Sequence, residues 1–344
     1  MTPPRLRRPP ASRTTRQRTA ATPRVGLIGH GYWGRNLTRV FAQLGALGGV
    51  CDHDARRLRA VQADWPEIPT TTSVDDLLSR PEIQAVVIAA PAVGHFQLAW
   101  QSLKVGKDVF VEKPLALTVH DGRQLMELAR QRRRILMVGH ILEYHPAVLK
   151  LKSLIQTGQL GQIQYLYSHR LNLGKIRREE NILWSFAPHD ISAMLFLLDE
   201  QPSRVACQGA TFLQRAVADV TITSLAFPSG VQGHIFVSWL HPFKEQKLVV
   251  VGDRKMAVFD DTAPAASKLI VYPHHIIWRD RVPIAHKAAG EPVKIADAEP
   301  LVEECRHFLE CIRTRQEPRT NGDDGLRVLE ILQRCQESLQ TWER

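Results

Sequence analysis

The 344-residue chain predicts an N-terminal α/β domain with a doubly wound parallel sheet, joined to an α+β domain with a large, mostly antiparallel open sheet. Three observations carry this. From residue 24 to about residue 140 short β-rich apolar runs alternate with helical patterns, which is the mark of βαβ units. After His140 that alternation stops, and extended segments follow one another with turn signals between them. The length suits two domains sharing one interface. The expected divisions are a basic tail over 1–23, the first domain over 24–140 and the second over 141–344.

In chain order, strands are expected at 25–28, 49–51, weakly at 69–71, 85–89, 108–111 and 135–138. Helices lie between them. Two have readable starts, Ser73 with Asp76 three residues on, and Thr118 ahead of a long charged stretch. In the second domain one helix is expected over 146–157, stopped by Gly158, then a long strand over 163–173 and a helix over 189–198. Extended segments follow at 203–213, 218–227, 231–240, 247–251, 256–260 and 268–271. Pro228-Ser229-Gly230 and Gly252-Asp253-Arg254-Lys255 are turn signals that join neighbours as antiparallel hairpins. Two helical patterns, 299–315 and 322–342, end the chain, the last long enough to return to the first domain.

Composition excludes several classes. The formal charge of +10 is concentrated in residues 1–24, which hold seven arginines and no acid, leaving 38 basic and 35 acidic residues elsewhere. That tail is Pro-, Thr- and Arg-rich without apolar periodicity, so it reads as a disordered, dispensable extension rather than a nucleic-acid-binding arm. It has no apolar core of a secretory signal, and prolines at 3, 4, 9 and 10 oppose a transit-peptide helix. No apolar run reaches the roughly 18 residues of a membrane span. The five cysteines, 51, 207, 305, 311 and 335, are scattered and odd in number. They suit free thiols in the cytoplasm rather than a disulfide framework, and they offer no metal-ligand spacing. Neither a metal, a nucleic acid nor a membrane is expected as a partner.

Gly29-His30-Gly31-Tyr32-Trp33-Gly34 is G-x-G-x-x-G directly after the first strand and at the start of the first helix. In that context it is the dinucleotide fingerprint of a Rossmann domain. The first glycine makes the turn, the second admits a pyrophosphate to the backbone, and the third lets helix and strand approach. Asp52 closes the second strand, where a carboxylate accepts the ribose hydroxyls of NAD and repels the 2′-phosphate of NADP. His53 and arginines 56, 57 and 59 are the argument for NADP, the less favoured cofactor. Glu112-Lys113-Pro114 follows the fifth strand at the carboxyl edge of the sheet, where ligands bind in such folds. A buried lysine there can polarise a hydroxyl or relay its proton.

These motifs, together with Ala90-Pro91, His95 and Pro188-His189-Asp190-Ile191, occur in an order and spacing that resembles the Gfo/Idh/MocA oxidoreductases, over about residues 24–342. The resemblance implies hydride transfer between a sugar ring carbon and NAD. It assigns Lys113 and His189 as catalytic, and places Tyr32, Trp33, Ala90, Pro91, His95, Glu112 and Pro114 with the glycines and Asp52 around the cofactor. The stretch from Tyr167 to Gly174 and from Asn181 to Trp184 looks like the branch acting on UDP-N-acetylglucosaminuronate at C3, in surface-polysaccharide sugar biosynthesis. Arg170, Asn172, Arg177, Asn181, Trp184, Ser185 and His189 are the expected substrate contacts, with Tyr144 and His145 as lesser candidates. The family pattern has an aspartate four residues before the histidine. This chain has Ser185, which can hydrogen-bond but holds no charge. Alternatives are an inositol or deoxysugar dehydrogenase, a 3-ketoreductase, or a non-catalytic NAD-binding protein. A homodimer or homotetramer through the C-terminal sheet is expected.

Overall fold

The computed structural model describes residues 22–178 and 180–342. The basic tail lies, up to residue 21, outside the described residues.

The first domain contains β1 (Val25–Ile28), α1 (Gly34–Gln43), β2 (Leu47–Cys51), α2 (Ala55–Asp64), β3 (Thr70–Thr71), α3 (Val74–Leu78), β4 (Ala85–Ile88), α4 (His95–Lys104), β5 (Asp108–Glu112), α5 (Val119–Arg132) and β6 (Leu136–Gly139). All strand pairings are parallel, in the order β3-β2-β1-β4-β5-β6. β1 and β4 are buried along their whole length because helices cover both faces, so their sequences are continuous apolar runs rather than alternating ones. The two helix starts form as the sequence predicts. Ser73 accepts from the Asp76 N–H and Thr118 from the Asp121 N–H. The strand order reverses between β1 and β4, and ligands of such sheets bind at the crevice this leaves at the carboxyl ends.

The second domain follows with α6 (Pro146–Gln156), β7 (Ile163–Leu171), α7 (Ile182–Leu198), β8 (Arg204–Ala210), β9 (Val220–Ala226), β10 (Gln232–Ser238), β11 (Glu245–Gly252), β12 (Met256–Asp260), β13 (Leu269–Tyr272), β14 (His275–Arg279), β15 (Val282–His286), β16 (Glu291–Pro292), α8 (Pro300–Thr314) and α9 (Gly322–Trp342). Its eight-stranded sheet has the order β16-β13-β12-β11-β7-β10-β9-β8. Only β7 and β10 pair in parallel, and the two predicted hairpins, β9–β10 and β11–β12, are antiparallel. One face carries Leu166, Ile235, Val237, Leu248 and Val250, packed on Leu151 of α6, Ile191 and Leu195 of α7 and Leu332 of α9. The other face carries Tyr165, Tyr167, His169, His234 and Phe236, partly exposed. The Tyr167 and His234 rings stack there, 5.0 Å apart.

Two expectations need correction. α7 starts at Ile182, seven residues before the expected His189. A proline at 188 marks a first-turn position in sequence, but Asn181 caps the earlier start by accepting from the Trp184 N–H, and burial of the apolar run 182–198 carries the helix through Pro188. His189 therefore sits inside the helix, and Asp190 after it is a buried ion-pair partner of Arg170. The sequence reading also missed the β14–β15 hairpin, a separate two-stranded sheet with Trp278 exposed.

The terminal helices tie the domains together. α8 adds Leu301, Cys305 and Phe308 to the core around Leu27, Phe41 and Phe110, with the Phe110 and Phe308 rings edge to face. α9 lies against α5 and β6 on one side and α7 and β8 on the other.

Candidate active site

The glycine turn leaves β1 with Gly29 at φ 97°, a conformation side chains avoid. A Cβ on Gly29 would meet the Ala89 backbone at 2.8 Å, and one on Gly34 would lie 2.0 Å from the Gly29 carbonyl oxygen. These two glycines are required by the fold itself. Gly31 differs, because its nearest neighbour would be an Arg57 nitrogen at 3.9 Å. The chain itself does not demand a glycine there, which suits the close backbone approach to a dinucleotide diphosphate expected at this position. Tyr32 beside it is almost wholly exposed. Asp52, just past β2, accepts from the backbone N–H of His30 at 2.7 Å and of Asp54 at 2.8 Å, with Arg57 at 3.3 Å. Burial alone would raise its pKa, but those donors hold it below the usual carboxylate value. Arg57 is thus tied to Asp52 and Arg56 to Asp54.

Two loops from adjacent strands complete this edge. After β4, Ala90 and Pro91 turn into α4, and His95 is buried beneath them. Its ring nitrogens lie 2.7 Å from the Pro114 carbonyl oxygen and 2.9 Å from that of Ala90. His95 braces the two loops from below. After β5 comes Glu112-Lys113-Pro114, with a cis bond between Lys113 and Pro114. Trp33 donates its indole N–H to Glu112 at 2.5 Å, so the helix after the glycine turn is fastened to this strand end. Desolvation pushes Glu112 up to about 7, against the Trp33 hydrogen bond and the Lys113 charge.

α7 supplies the opposite wall. Pro188 has no N–H, which interrupts the helix ladder just before His189, and Lys113 Nζ donates to the Ser185 carbonyl at 2.8 Å. The contact uses the main chain of residue 185, so it survives the change from aspartate to serine. Burial lowers the Lys113 pKa, opposed by Glu180 and Glu112 and assisted by Arg177 and Arg170. His189 is held well below its usual value, first by burial, then by the charges of Lys113, Arg170 and His140. Its Nδ1 is buried and has no hydrogen-bond partner among the described residues. Lys113 thus reaches the main chain of α7 one turn before His189, whose imidazole, kept neutral by burial, is a base able to accept a hydroxyl proton.

The structure therefore brings Lys113, Ser185, His189, Arg170, Arg177 and Glu180 together. Arg170 faces Asp190 with a two-pronged ion pair, at 2.8 and 3.1 Å. Arg177 lies 3.5 Å from Glu180. Asn172 continues β7, its N–H on the Ser238 carbonyl oxygen. Asn181 and Trp184 both donate to Gln336 of α9, so they fix α7 to the last helix. Tyr144 is buried against His307 and Thr320, and His145 caps α6 near Asp261, both turned to other contacts. Three further polar side chains that the sequence reading did not single out, His140, Glu143 and Asp324, are buried near this site. The rule that singled out Lys113, a polar residue just past a strand's carboxyl end, applies equally to His140 after β6.

A glycine turn at a topological switch point with an acidic residue past β2 has the form of a dinucleotide-binding edge, and Lys113 reaches from that edge to α7, which carries His189. Residues 23–140 match the model of the oxidoreductase family with an NAD-binding Rossmann fold, and residues 148–258 match the GFO/IDH/MocA C-terminal domain. The chain belongs to the Gfo/Idh/MocA family. It is 28% identical over 309 residues to UDP-N-acetylglucosamine 3-dehydrogenase of Acidithiobacillus ferrooxidans, covering 89% of this chain and 94% of that one. The solved structure of that enzyme, GnnA, superposes with a TM-score of 0.81 at 25% identity, over 93% of this chain and 98% of the other. Inositol 2-dehydrogenase of Salmonella paratyphi B is 25% identical over 76% of this chain and 81% of its own length.

Proposed function

We propose that the chain is an NAD-dependent dehydrogenase that oxidises C3 of a UDP-N-acetylhexosamine, with UDP-N-acetylglucosamine as substrate. The observation that carries this is the similarity to the Acidithiobacillus enzyme along nearly the whole of both chains. A second observation bears on the uronate expected from the sequence. Both arginines expected to grip an anionic sugar are already paired, Arg170 with Asp190 and Arg177 with Glu180. A C6 carboxylate would have to compete with those acids, whereas an uncharged hydroxymethyl group would not.

A bound NAD would supply the acceptor for the hydride of the ring carbon. The backbone at Gly31, between the structurally required Gly29 and Gly34, would hold its diphosphate and Asp52 its ribose, with Arg56 and Arg57 engaged by Asp54 and Asp52 and so not offered to a 2′-phosphate. Lys113, its charge disfavoured by burial, orients the sugar hydroxyl and lowers the cost of its ionisation. His189, neutral, accepts the departing proton. Pairing of two copies through the aromatic face of the sheet, and a reducing cytoplasm suited to five free, buried cysteines, complete the reading.

The test is NADH formation by the purified protein with UDP-N-acetylglucosamine, its uronate, free N-acetylglucosamine and myo-inositol. Turnover fastest with the first supports the proposal. Preference for the uronate or inositol replaces the substrate, and silence with all four while NAD still binds supports a non-catalytic protein.

A further inference from the structure

Behind the catalytic pair lies a set of buried polar groups that the proposed chemistry does not use. β5 and β6 run parallel with Glu112 level with Gly139, so Lys113 and His140 leave neighbouring strands at the same height. His140 is 1% exposed, and neither of its ring nitrogens has a hydrogen-bond partner among the described residues. Two unmet nitrogens in one buried imidazole are costly to keep. The start of α9 packs so closely on β6 that a Cβ on Gly325 would lie 2.5 Å from Val138. That places Asp324 with its Oδ2, also unpartnered, 3.9 Å from His140 Nε2. Glu143, 1% exposed, stands beside Asp324 and accepts from the Ser192 hydroxyl at 2.7 Å. Ser192 is three residues beyond His189 on α7, on the same stripe of the helix.

We propose that His140, Asp324 and Glu143 form a proton relay behind Lys113 and His189, supplying the carboxylate that residue 185 lacks. The inference rests on the dehydrogenase reading. As the sugar O–H bond breaks, its proton bonds to His189, the O–H electron pair forms the C=O bond, and the C–H bond breaks with its pair leaving as hydride, for which NAD would be the two-electron oxidant. The new N–H bond on His189 then breaks in favour of one on His140, which burial and the Lys113 charge push down to about 3 so that the proton does not stay there, and it passes to a carboxylate oxygen of Asp324, 3.9 Å away, forming a carboxylic acid. His189 and Lys113 are partly exposed, as groups that meet substrate must be, while the relay residues are buried. Asp324 is the acceptor of the two acids. Burial raises both, but Asp324 stands at about 6 and Glu143 well above its usual value, so one proton is shared between them near neutrality. The charged groups around the relay are Lys113 from β5, His189 from α7, Glu304 from α8, Arg327 on α9 and Arg319 before it, whose guanidinium donates to the Glu143 carbonyl at 2.6 Å. These residues position and move a proton; they do not touch substrate.

The test combines a titration that needs no substrate with a kinetic one, on wild type, Asp324→Asn, Glu143→Gln and His140→Gln. In the cofactor-free protein labelled with ¹⁵N-histidine, the His140 ring signal should inflect near pH 6, and Asp324→Asn should abolish the inflection. In turnover, Asp324→Asn and His140→Gln should lower kcat about 100-fold with KM for the sugar and Kd for NAD unchanged. The rise of kcat with pH as Asp324 ionises should vanish in Asp324→Asn. Glu143→Gln keeps an acceptor for Ser192 and should move that limb rather than remove it. A His140 signal that runs flat through this range in wild type overturns the relay whatever the turnover, as do variants that retain the wild-type kcat and pH profile. A wild-type inflection with no sugar oxidised would instead overturn the dehydrogenase reading.

Discussion

Alanine at Gly31 and alanine at Gly34 should act on different properties, although both lie in one six-residue turn. At Gly34 the added carbon would sit 2.0 Å from the Gly29 oxygen, so turn and helix must separate by about 1 Å to reach even the tightest real contact. Forced overpacking of that kind costs about 1–3 kcal/mol, and the displaced helix N-terminus loses its aim as well. At Gly31 the nearest atom would be 3.9 Å away, and the backbone is not left-handed there. The unfolded chain loses freedom, so alanine should stabilise by about 0.4–1 kcal/mol. NAD binding should suffer instead, because a methyl group stands between the backbone and the diphosphate. Loss of one hydrogen bond to a charged group is worth about 1.5–3 kcal/mol, a weakening of Kd by about 10- to 100-fold. Thermal unfolding and calorimetric titration with NAD read the two effects separately. Gly31→Ala that binds NAD as wild type does would refute the assignment of this turn as the diphosphate cradle.

Glu112 titrates near 7 in the folded chain against 4.5 ordinarily, so the fold favours its protonated form. Its contribution is present in full below about 4.5 and lost as pH rises through 7, and Glu112→Gln should flatten that part of the Tm-against-pH curve. Arg170→Met strands the buried Asp190 carboxylate, which should cost about 3–5 kcal/mol in urea denaturation; a loss near zero would mean the ion pair is not the anchor of α7 on β7. Ser185→Asp places a carboxylate beside Lys113 and should raise the lysine's pKa, shifting the alkaline limb of the kcat profile upward, and an unmoved limb would place Lys113 outside the titration. A chain starting at residue 22 should bind NAD as the full chain does, measured by calorimetry.

The first domain was legible because its signals are local. Most of its strands are short apolar runs, α3 and α5 start on the side-chain caps of Ser73 and Thr118, and the glycine turn has one geometry. α7 was misplaced because Pro188 looks like a beginning, and only burial of the whole run from Ile182 explains why the helix tolerates it. The site was half legible. Lys113 could be found from its place after β5, and His189 from the family resemblance. The engagement of Arg170 with Asp190, of Asn181 and Trp184 with Gln336, and of His140 with Asp324 joins residues 20 to 184 positions apart. No spacing in the sequence encodes such contacts. The β14–β15 hairpin was invisible because its residues pack on little of their own chain, so no burial pattern marks them.

The most direct test of the account is the fate of the hydrogen on C3. UDP-N-acetylglucosamine carrying deuterium at that carbon is incubated with the protein and NAD, and the reduced nicotinamide is analysed by mass spectrometry. The account predicts deuterated NADH formed more slowly than NADH from unlabelled sugar, and loss of both in His189→Ala. Unlabelled NADH, or label transfer that His189→Ala leaves intact, would contradict it.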